Sequence, residues 1–415
     1  MAPRATLSRG ARGRVTARGA STALPLAGLR ILAASQLGAG PWALTLLSDL
    51  GADVVKIEPP GRGDEARNVP PFAEAGDSIY FQSLNRGARG LTLDLRADAG
   101  RAVLRRLVAT SDAVYNNLRG GEPERLGLTY GALRDVNPRV VCCSLSGFGQ
   151  TGPRAKEPGY DFVIQAYAGF MSLTGAPDGP PERCGVSIVD FSAGILSTLA
   201  LMIGLHRAQT TGAGCDIDVS LYDTALSMLN YLAGWTLNRD WHPQRTADGA
   251  HQTLVPAQTF RTSDGFLVVM CLKEKFWQAL CERMGRADLR DDPRFATFAE
   301  RHAHRDTLIP MLAADFACRT TEAWLGCLRG HVPCGPVYSV EEALADEHAL
   351  ARDMVTGIDH PTFGWLRQVG TPLKMAGVTP EHRRAPRLGE HTDAILAEAG
   401  FAPAEIARLR ADGVV

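Results

Sequence analysis

The sequence predicts an α/β protein with a large, doubly wound domain and a smaller α+β domain. Three observations lead there. Short apolar runs alternate with helical stretches across the first half of the chain. Glycine-rich turns at Gly38–Pro41 and Gly147–Gly149 each follow such a run. A polar stretch at Asn238–Ala250 then separates this pattern from a second, less regular one.

The elements follow in order. Leu29–Ala33 reads as a buried strand, and a helix runs from the first glycine turn through Trp42, Leu46, Leu47 and Leu50. Gly51 ends that helix, and Ala52–Glu58 is the next strand, stopped by Pro59-Pro60-Gly61. This βαβ unit implies a parallel pair with a right-handed crossover. Gly90–Leu95, Asp112–Asn117 and Arg139–Ser146 read as further strands, with a helix at Ala99–Ala109. Helices at Asp161–Phe170 and Phe191–Ala208 follow, then a period-two strand at Cys215–Leu221 and a helix starting near Leu221. The second unit offers a strand at Gly265–Met270 and helices around Lys275–Met284, Arg305–Phe316 and Glu322–Leu328. Strand and turn signals recur near His360–Leu373; Arg383–Gly389 is an extended arm, and Thr392–Ala399 and Ala404–Ala411 are helical. The domains are accordingly a basic tail (1–24), a large α/β domain (25–232), a small α+β domain (245–350) and a C-terminal segment (355–415) returning to the large one.

Bulk properties narrow the function. The 415 residues carry 44 Lys+Arg against 45 Asp+Glu, a net charge of -1, so no basic face for nucleic acid is indicated. No apolar run reaches about 18 residues without polar interruption, which argues against a membrane span. Nine cysteines without CxxC spacing suggest neither a disulfide framework nor a zinc module. They point to a reducing compartment, the cytoplasm. The first residues differ: Arg4, Arg9, Arg12, Arg14 and Arg18 accompany Ser and Thr, with no acidic residue before Asp49. That composition fits a transit peptide, hence the mitochondrial matrix, or a disordered basic tail.

Two features suggest chemistry. Gly38-Ala39-Gly40-Pro41-Trp42-Ala43 fits a G-x-G-x-x-A pattern between strand and helix, with Glu58 closing the next strand. This is a Rossmann-like arrangement for NAD, for another phosphate-bearing cofactor, or for a structural turn alone. Pro41 removes one N–H that phosphate could have used. The second feature is Asp190, a lone carboxylate between an apolar run and an apolar helix. It suits an N-cap, which needs no function. It also suits a covalent nucleophile kept ionised by the helix dipole within an apolar surround.

With these features and several others, the chain resembles the family III coenzyme A transferases over about residues 25–415. The marks are Gly38–Pro41, Leu50–Glu58, Asn85-Arg86, Leu93–Leu95, Arg125–Leu128, Ser146–Pro153, Gly159–Asp161, Val332–Val337 and Leu388–Thr392. The resemblance implies an interlocked homodimer and places the family's nucleophilic aspartate on Asp190. It implies a CoA site along Leu37, Gly38, Ala39, Gly40, Leu93, Asp94, Leu95, Arg96, Asn117, Leu118, Arg119, Arg125, Ser146, Gly147, Phe148 and Gly149. Arg125 would meet a CoA phosphate, or form a surface ion pair. Gly147 and Gly149 could offer N–H groups to an oxyanion, or serve only their turn. Acyl-CoA and a carboxylic acid, a small dicarboxylate by resemblance to the branch using succinyl-CoA, are the implied substrates. No prosthetic group and no metal are implied.

Three departures qualify this. An arginine that contacts CoA in formyl-CoA transferase falls on Pro59. That enzyme's glycine-rich active-site loop has no counterpart near Ala250–Gln258, which disfavours oxalate as acceptor. The racemase relatives carry a histidine where this chain has Tyr160, before Asp161. A phenol, of reference pKa about 10, is a poor base at neutral pH, so CoA transfer is favoured over racemisation or epimerisation. The presence of Asp190 disfavours a silent CoA-binding module.

Other residues have plainer readings. Cys142 and Cys143 should point to opposite sheet faces as buried thiols, and Cys334 should pack in a turn. His302 and His304 suit a solvated helix start. His251-Gln252-Thr253 lies where the acceptor approaches in related transferases, and Thr392 suits the N-cap of the C-terminal helix.

Overall fold

The computed structural model describes residues 24–415. The basic tail, apart from Leu24, lies outside them. Six parallel strands form the central sheet: β1 (Arg30–Ala34), β2 (Asp53–Glu58), β3 (Arg89–Thr92), β4 (Ala113–Asn116), β5 (Val141–Ser146) and β6 (Cys215–Ser220). Their spatial order is β3-β2-β1-β4-β5-β6. The direction of winding therefore reverses between β1 and β4, which pair side by side.

Alternation along the strands divides the core in two. Ile31, Ala33, Val54, Tyr115, Val141 and Cys143 face the helices Ala39–Ser48 and Ile188–Thr211. Leu32, Val55, Ile57, Val114 and Cys142 face the Asp98–Val108 helix and the C-terminal helices, through Leu104, Leu107, Ile395 and Ile406. The two adjacent cysteines thus enter opposite layers, as strand geometry requires. Burial pushes the Cys143 thiol up to about 12.

The long helix starts at Ile188, three residues before the expected Phe191, and reaches Thr211. It is long and apolar enough to cross a membrane by length and composition, with mean hydropathy 1.9. Here Val189, Ala193, Leu201 and Leu205 are in the core, while Ile195, Leu196, Leu199 and Ile203 are exposed. Gly194 lets it approach its neighbour: a Cβ there would stand 2.9 Å from the Ala39 carbonyl oxygen. Trp42 and Phe191 close the same seam, with ring centroids 4.8 Å apart.

A three-stranded antiparallel sheet carries the second unit, with Phe266–Met270 between Ala257–Arg261 and Cys334–Pro336. Trp277, Phe295, Phe316 and Trp324 fill its own core. The strand at Ala257–Arg261 and the helix Asn230–Asn238 are absent from the sequence reading. Cys334 lies in an edge strand of this sheet.

The chain then returns. A hairpin, Val355–His360 and Gly364–Val369, docks on the Ile79–Asn85 helix. Gln368 donates to the Gln82 carbonyl at 3.1 Å, and Arg86 donates to the Val369 carbonyl at 2.7 Å. Thr392 is not the N-cap expected of it. The helix Thr392–Glu398 begins after His391, with no side-chain cap. Thr392 Oγ1 instead accepts the Thr92 N–H at 3.1 Å, and His391 Nδ1 accepts the Gly90 N–H at 3.1 Å. These side chains latch the C-terminal segment onto the edge strand β3. The expected strand through Leu95 ends early at Thr92. Beyond it the backbone leaves the ladder, and the Asp94 N–H donates to the Val414 carbonyl at 2.8 Å.

The Gly194 seam is testable. Gly194→Val should lower the unfolding free energy by about 1–3 kcal/mol, the scale of an overpacked core, as a lower midpoint in chemical unfolding.

Candidate active site

Open α/β sheets bind ligands where the strand order reverses, outside the carboxyl ends of the strands. A cleft of about 680 Å³ opens there. Its walls include Leu37, Gly38 and Ala39 after β1, Leu93–Arg96 after β3, Asn117, Leu118 and Arg119 after β4, and Ser146 and Gly147 at the end of β5. Arg125 and Asp190 line it too. Residues from five distant segments thus share one wall.

Three of the candidates do not line the cleft. Gly40 packs inward, where a Cβ would stand 3.1 Å from Tyr115 and 3.2 Å from Asn117. Phe148 is buried against Tyr167 and Tyr222. The Gly149 N–H donates to Ser146 Oγ at 3.0 Å, so the turn already uses it. Gly147 sits against Gly159, where a Cβ would meet its Cα at 2.6 Å. That close approach carries Tyr160 and Asp161 up to the sheet.

Asn117 braces the switch point itself. Its Oδ1 accepts the Gln36 N–H at 2.8 Å and its Nδ2 donates to the Gln36 carbonyl at 2.7 Å. Glu58, the acid of the dinucleotide pattern, is not free for a ribose. Arg67 grips both its oxygens at 2.7 and 2.8 Å, and its Oε2 also accepts the Asp64 N–H. The glycine turn here does not serve an NAD ribose carboxylate.

Asp190 is in the first turn of the long helix, not its N-cap; Ser187 holds that position. Asp161 supplies the helix-end acceptor instead. Its Oδ1 takes the N–H groups of Val189 at 2.7 Å and Asp190 at 3.0 Å. Gln165 Nε2 donates to its other oxygen. An anion at these orphan N–H groups is what a helix start favours. The helix start therefore does not keep Asp190 fully ionised at neutral pH, contrary to the sequence-based expectation. Burial, then the charge of Asp161, push its carboxyl up to about 7. Both disfavour the charged form. No donor among the described residues hydrogen-bonds to its oxygens. Gly38 keeps one of them open: a Cβ there would stand 3.3 Å from Asp190 Oδ2.

Four arginines line the cleft: Arg62, Arg96, Arg119 and Arg125. Arg125 is held by Glu122, which accepts from it at 2.6 Å, the ion-pair arrangement in this structure. Arg62 went unread in the sequence; it lies three residues beyond Pro59, which also lines the cleft. Tyr80 was missed as well. Its hydroxyl lies 3.8 Å from the Gly38 Cβ position, and burial with the charges of Asp190 and Asp64 pushes it up. No glycine turn or charged pattern marks Tyr80 in the sequence.

His251 is fixed in one tautomer. Its Nδ1 accepts the N–H groups of Thr253 at 3.2 Å and Leu254 at 3.1 Å. Nε2 therefore carries the proton and faces the Tyr231 hydroxyl at 3.3 Å. His302 and His304 contact the carbonyls of Gln252 and Glu300.

Comparison with known proteins settles the family. A family model described as CoA-transferase family III matches residues 26–392. The chain belongs to this family. It is 36% identical to succinate–glutarate CoA-transferase of Agrobacterium fabrum, over 90% of this chain and 95% of that protein. It is also 36% identical to acetyl-CoA:oxalate CoA-transferase of Acetobacter aceti, over 90% of this chain and 95% of that protein. The crystal structure of a CAIB/BAIF family protein from Brucella suis superposes with a TM-score of 0.78 at 36% identity, covering 91% of this chain and all of that one. This chain is thus a family III CoA-transferase, with CoA thioesters as its substrates.

The elevated Asp190 can be checked directly. In a carboxyl-labelled protein, with Asp190→Asn to assign the resonance, its NMR titration should have a midpoint near 7. Asp161→Asn keeps an oxygen for the two N–H groups but removes the charge, so the midpoint should fall. It should stay above the ordinary carboxylate range, because burial remains.

Proposed function

We propose that this transferase moves CoA between an acyl-CoA, succinyl-CoA or similar, and a small dicarboxylic acid, with Asp190 as covalent nucleophile. The observation that carries this is the state of Asp190: half-buried, open to the switch-point cleft and without a hydrogen-bonded partner. A carboxylate with little stabilising solvation is a better nucleophile than one in water.

In the proposed sequence, an Asp190 oxygen attacks the donor thioester carbonyl. The C–S bond breaks, leaving a mixed anhydride and CoA thiolate. The thiolate attacks the Asp190 acyl carbon and releases the donor acid as a carboxylate, which leaves an aspartyl-CoA thioester. The acceptor carboxylate attacks that thioester, forming a second anhydride and freeing the thiolate again. The thiolate then attacks the acceptor's carbonyl, giving the new acyl-CoA and restoring the Asp190 carboxylate. Every step is an acyl exchange, and the energy of the thioester is kept throughout.

The cleft supports the CoA assignment. Leu37–Ala39, Leu93–Arg96, Asn117–Arg119, Arg125, Ser146 and Gly147 would line the bound CoA. Arg62, Arg96, Arg119 and Arg125 suit its phosphates, whose oxyanions match guanidinium donors. Arg125 would exchange Glu122 for phosphate. The names of the relatives support dicarboxylate acceptors. Tyr160, exposed on the cleft where a racemase needs a base, supports transfer over epimerisation.

We further assign the exposed face of the long helix to a second copy of the chain. Ile195, Leu196, Leu199 and Ile203 form an apolar ridge on a single turn-to-turn stripe. Covering that ridge matches the homodimer implied by the resemblance.

Two experiments test this reading. Asp190→Ala should lose exchange between acyl-CoA and free carboxylate by at least about 10⁴-fold, the scale of removing a nucleophile, while still binding CoA in calorimetry. Hydroxylamine added during turnover should leave a hydroxamate on Asp190 in the unaltered enzyme. Persistent turnover in the alanine variant sinks the assignment. A mass-spectrometric screen offering succinyl-CoA and acetyl-CoA with glutarate, oxalate and other acids then ranks the acceptors. Separately, Leu199→Glu with Ile203→Glu should shift the native mass toward one chain in sedimentation equilibrium; an unchanged assembly would exclude this face.

A further inference from the structure

We propose that Asp64 is a positioning residue for acyl transfer: with Lys56 it clamps the turn Ser35–Gly38 that faces Asp190. The inference rests on Asp190 being the acylated group.

Leu37 has φ +59, a left-handed conformation that residues with a side chain rarely adopt. Something must hold it there. Asp64 Oδ1 accepts the Leu37 N–H at 3.1 Å and the Ala66 N–H at 2.9 Å. Asp64 Oδ2 accepts from Lys56 Nζ at 2.8 Å, and the same ammonium donates to the Ser35 carbonyl at 2.8 Å. A single ion pair therefore grips the turn on both sides of Gln36. The outer side of Gln36 is held by Asn117.

A second ion pair fixes the first. Glu58 Oε2 accepts the Asp64 N–H at 2.9 Å, and Arg67 donates to both Glu58 oxygens. All four side chains are at most 2% exposed. Arg67 also stacks on Phe81, 3.8 Å from its centroid, and donates to the Pro386 carbonyl of the returning arm at 3.0 Å. Desolvation makes such a buried network a poor source of stability. What it fixes is geometry.

The fixed geometry is that of Gly38. Leu37 immediately precedes it, so a left-handed Leu37 sets the direction in which Gly38 and the Ala39–Ser48 helix leave the turn. The N–H groups of Gly38, Ala39 and Gly40 have no acceptor among the described residues. Gly38 is the residue against which Asp190 Oδ2 stands open. If Leu37 relaxed to a right-handed conformation, that backbone would leave its present place beside the reacting carboxylate. Asp64 touches none of the reacting atoms; it acts through Leu37.

The test compares two charge-neutral double variants. K56M/D64A removes both charges and the acceptor for the Leu37 N–H. K56M/D64N removes both charges but leaves an amide oxygen there. K56M/D64A should lose about 10²-fold in kcat, the scale of a misplacement of about 1 Å, with KM for acyl-CoA nearly unchanged. K56M/D64N should lose less. Adding Leu37→Gly to K56M/D64A should recover part of kcat, because glycine adopts the left-handed conformation unaided. A merely structural network would show lowered melting temperatures and no rescue by glycine. Wild-type kcat in K56M/D64A, or no recovery with Leu37→Gly, overturns the proposal. If K56M/D64A does not fold, K56M/D64N carries the same test with a smaller loss and the same rescue. Mass spectrometry of Asp190 separates the two levels of inference. No adduct on the unaltered enzyme overturns both; an adduct forming at the unaltered rate in K56M/D64A overturns this one alone.

Discussion

Everything at the cleft depends on a reversal of winding between two neighbouring strands. β1 and β4 lie side by side, but the chain leaves them toward opposite halves of the sheet. No helix can cover the gap above both carboxyl ends. The loops that emerge there come from five segments far apart in sequence, and Asn117 ties two of them together through Gln36. Without that brace the gap would still exist, but its walls would have no fixed spacing.

The second constraint is electrostatic. The long helix starts beside this gap and offers unpaired N–H groups, which attract an anion. Two carboxylates compete for the position. Asp161 wins it, fully buried and hydrogen-bonded from three donors. Asp190, next along, is left with burial and a like charge nearby. One acid is spent on structure so that its neighbour stays proton-hungry and unoccupied. The same division recurs one layer away, where Glu58 and Asp64 are consumed by Arg67 and Lys56.

Much of this was legible in the chain. Strand and helix periods place all six parallel strands to within a few residues, because β1, β2, β4 and β5 each carry short apolar stretches, such as Ile31-Leu32, Val54-Val55, Val114-Tyr115 and Cys142-Cys143, buried on both faces. Asp190 stood out because it is isolated in an apolar setting. What the sequence hid was partnership. Nothing local shows that Glu58 belongs to Arg67, that Thr392 bonds to Thr92 some 300 residues earlier, or that Asp161 takes the helix end from Asp190. Those pairings are made by tertiary approach, and periodicity carries no record of them. Short elements were lost for a related reason. Ala257–Arg261 is a strand because Phe266–Met270 pairs with it, and its own residues signal that weakly.

The latch of Thr392 and His391 on β3 has a consequence for how the molecule is made. An open sheet ends in strands with unpaired backbone groups, which invite pairing with other chains. Here the guard for one rim is synthesised some 300 residues after the strand it covers. A nascent chain that has completed its parallel sheet still exposes that rim until the Thr392–Glu398 helix emerges from the ribosome. During that interval the polypeptide is vulnerable to sticking to its own copies, and chaperone protection would matter most then.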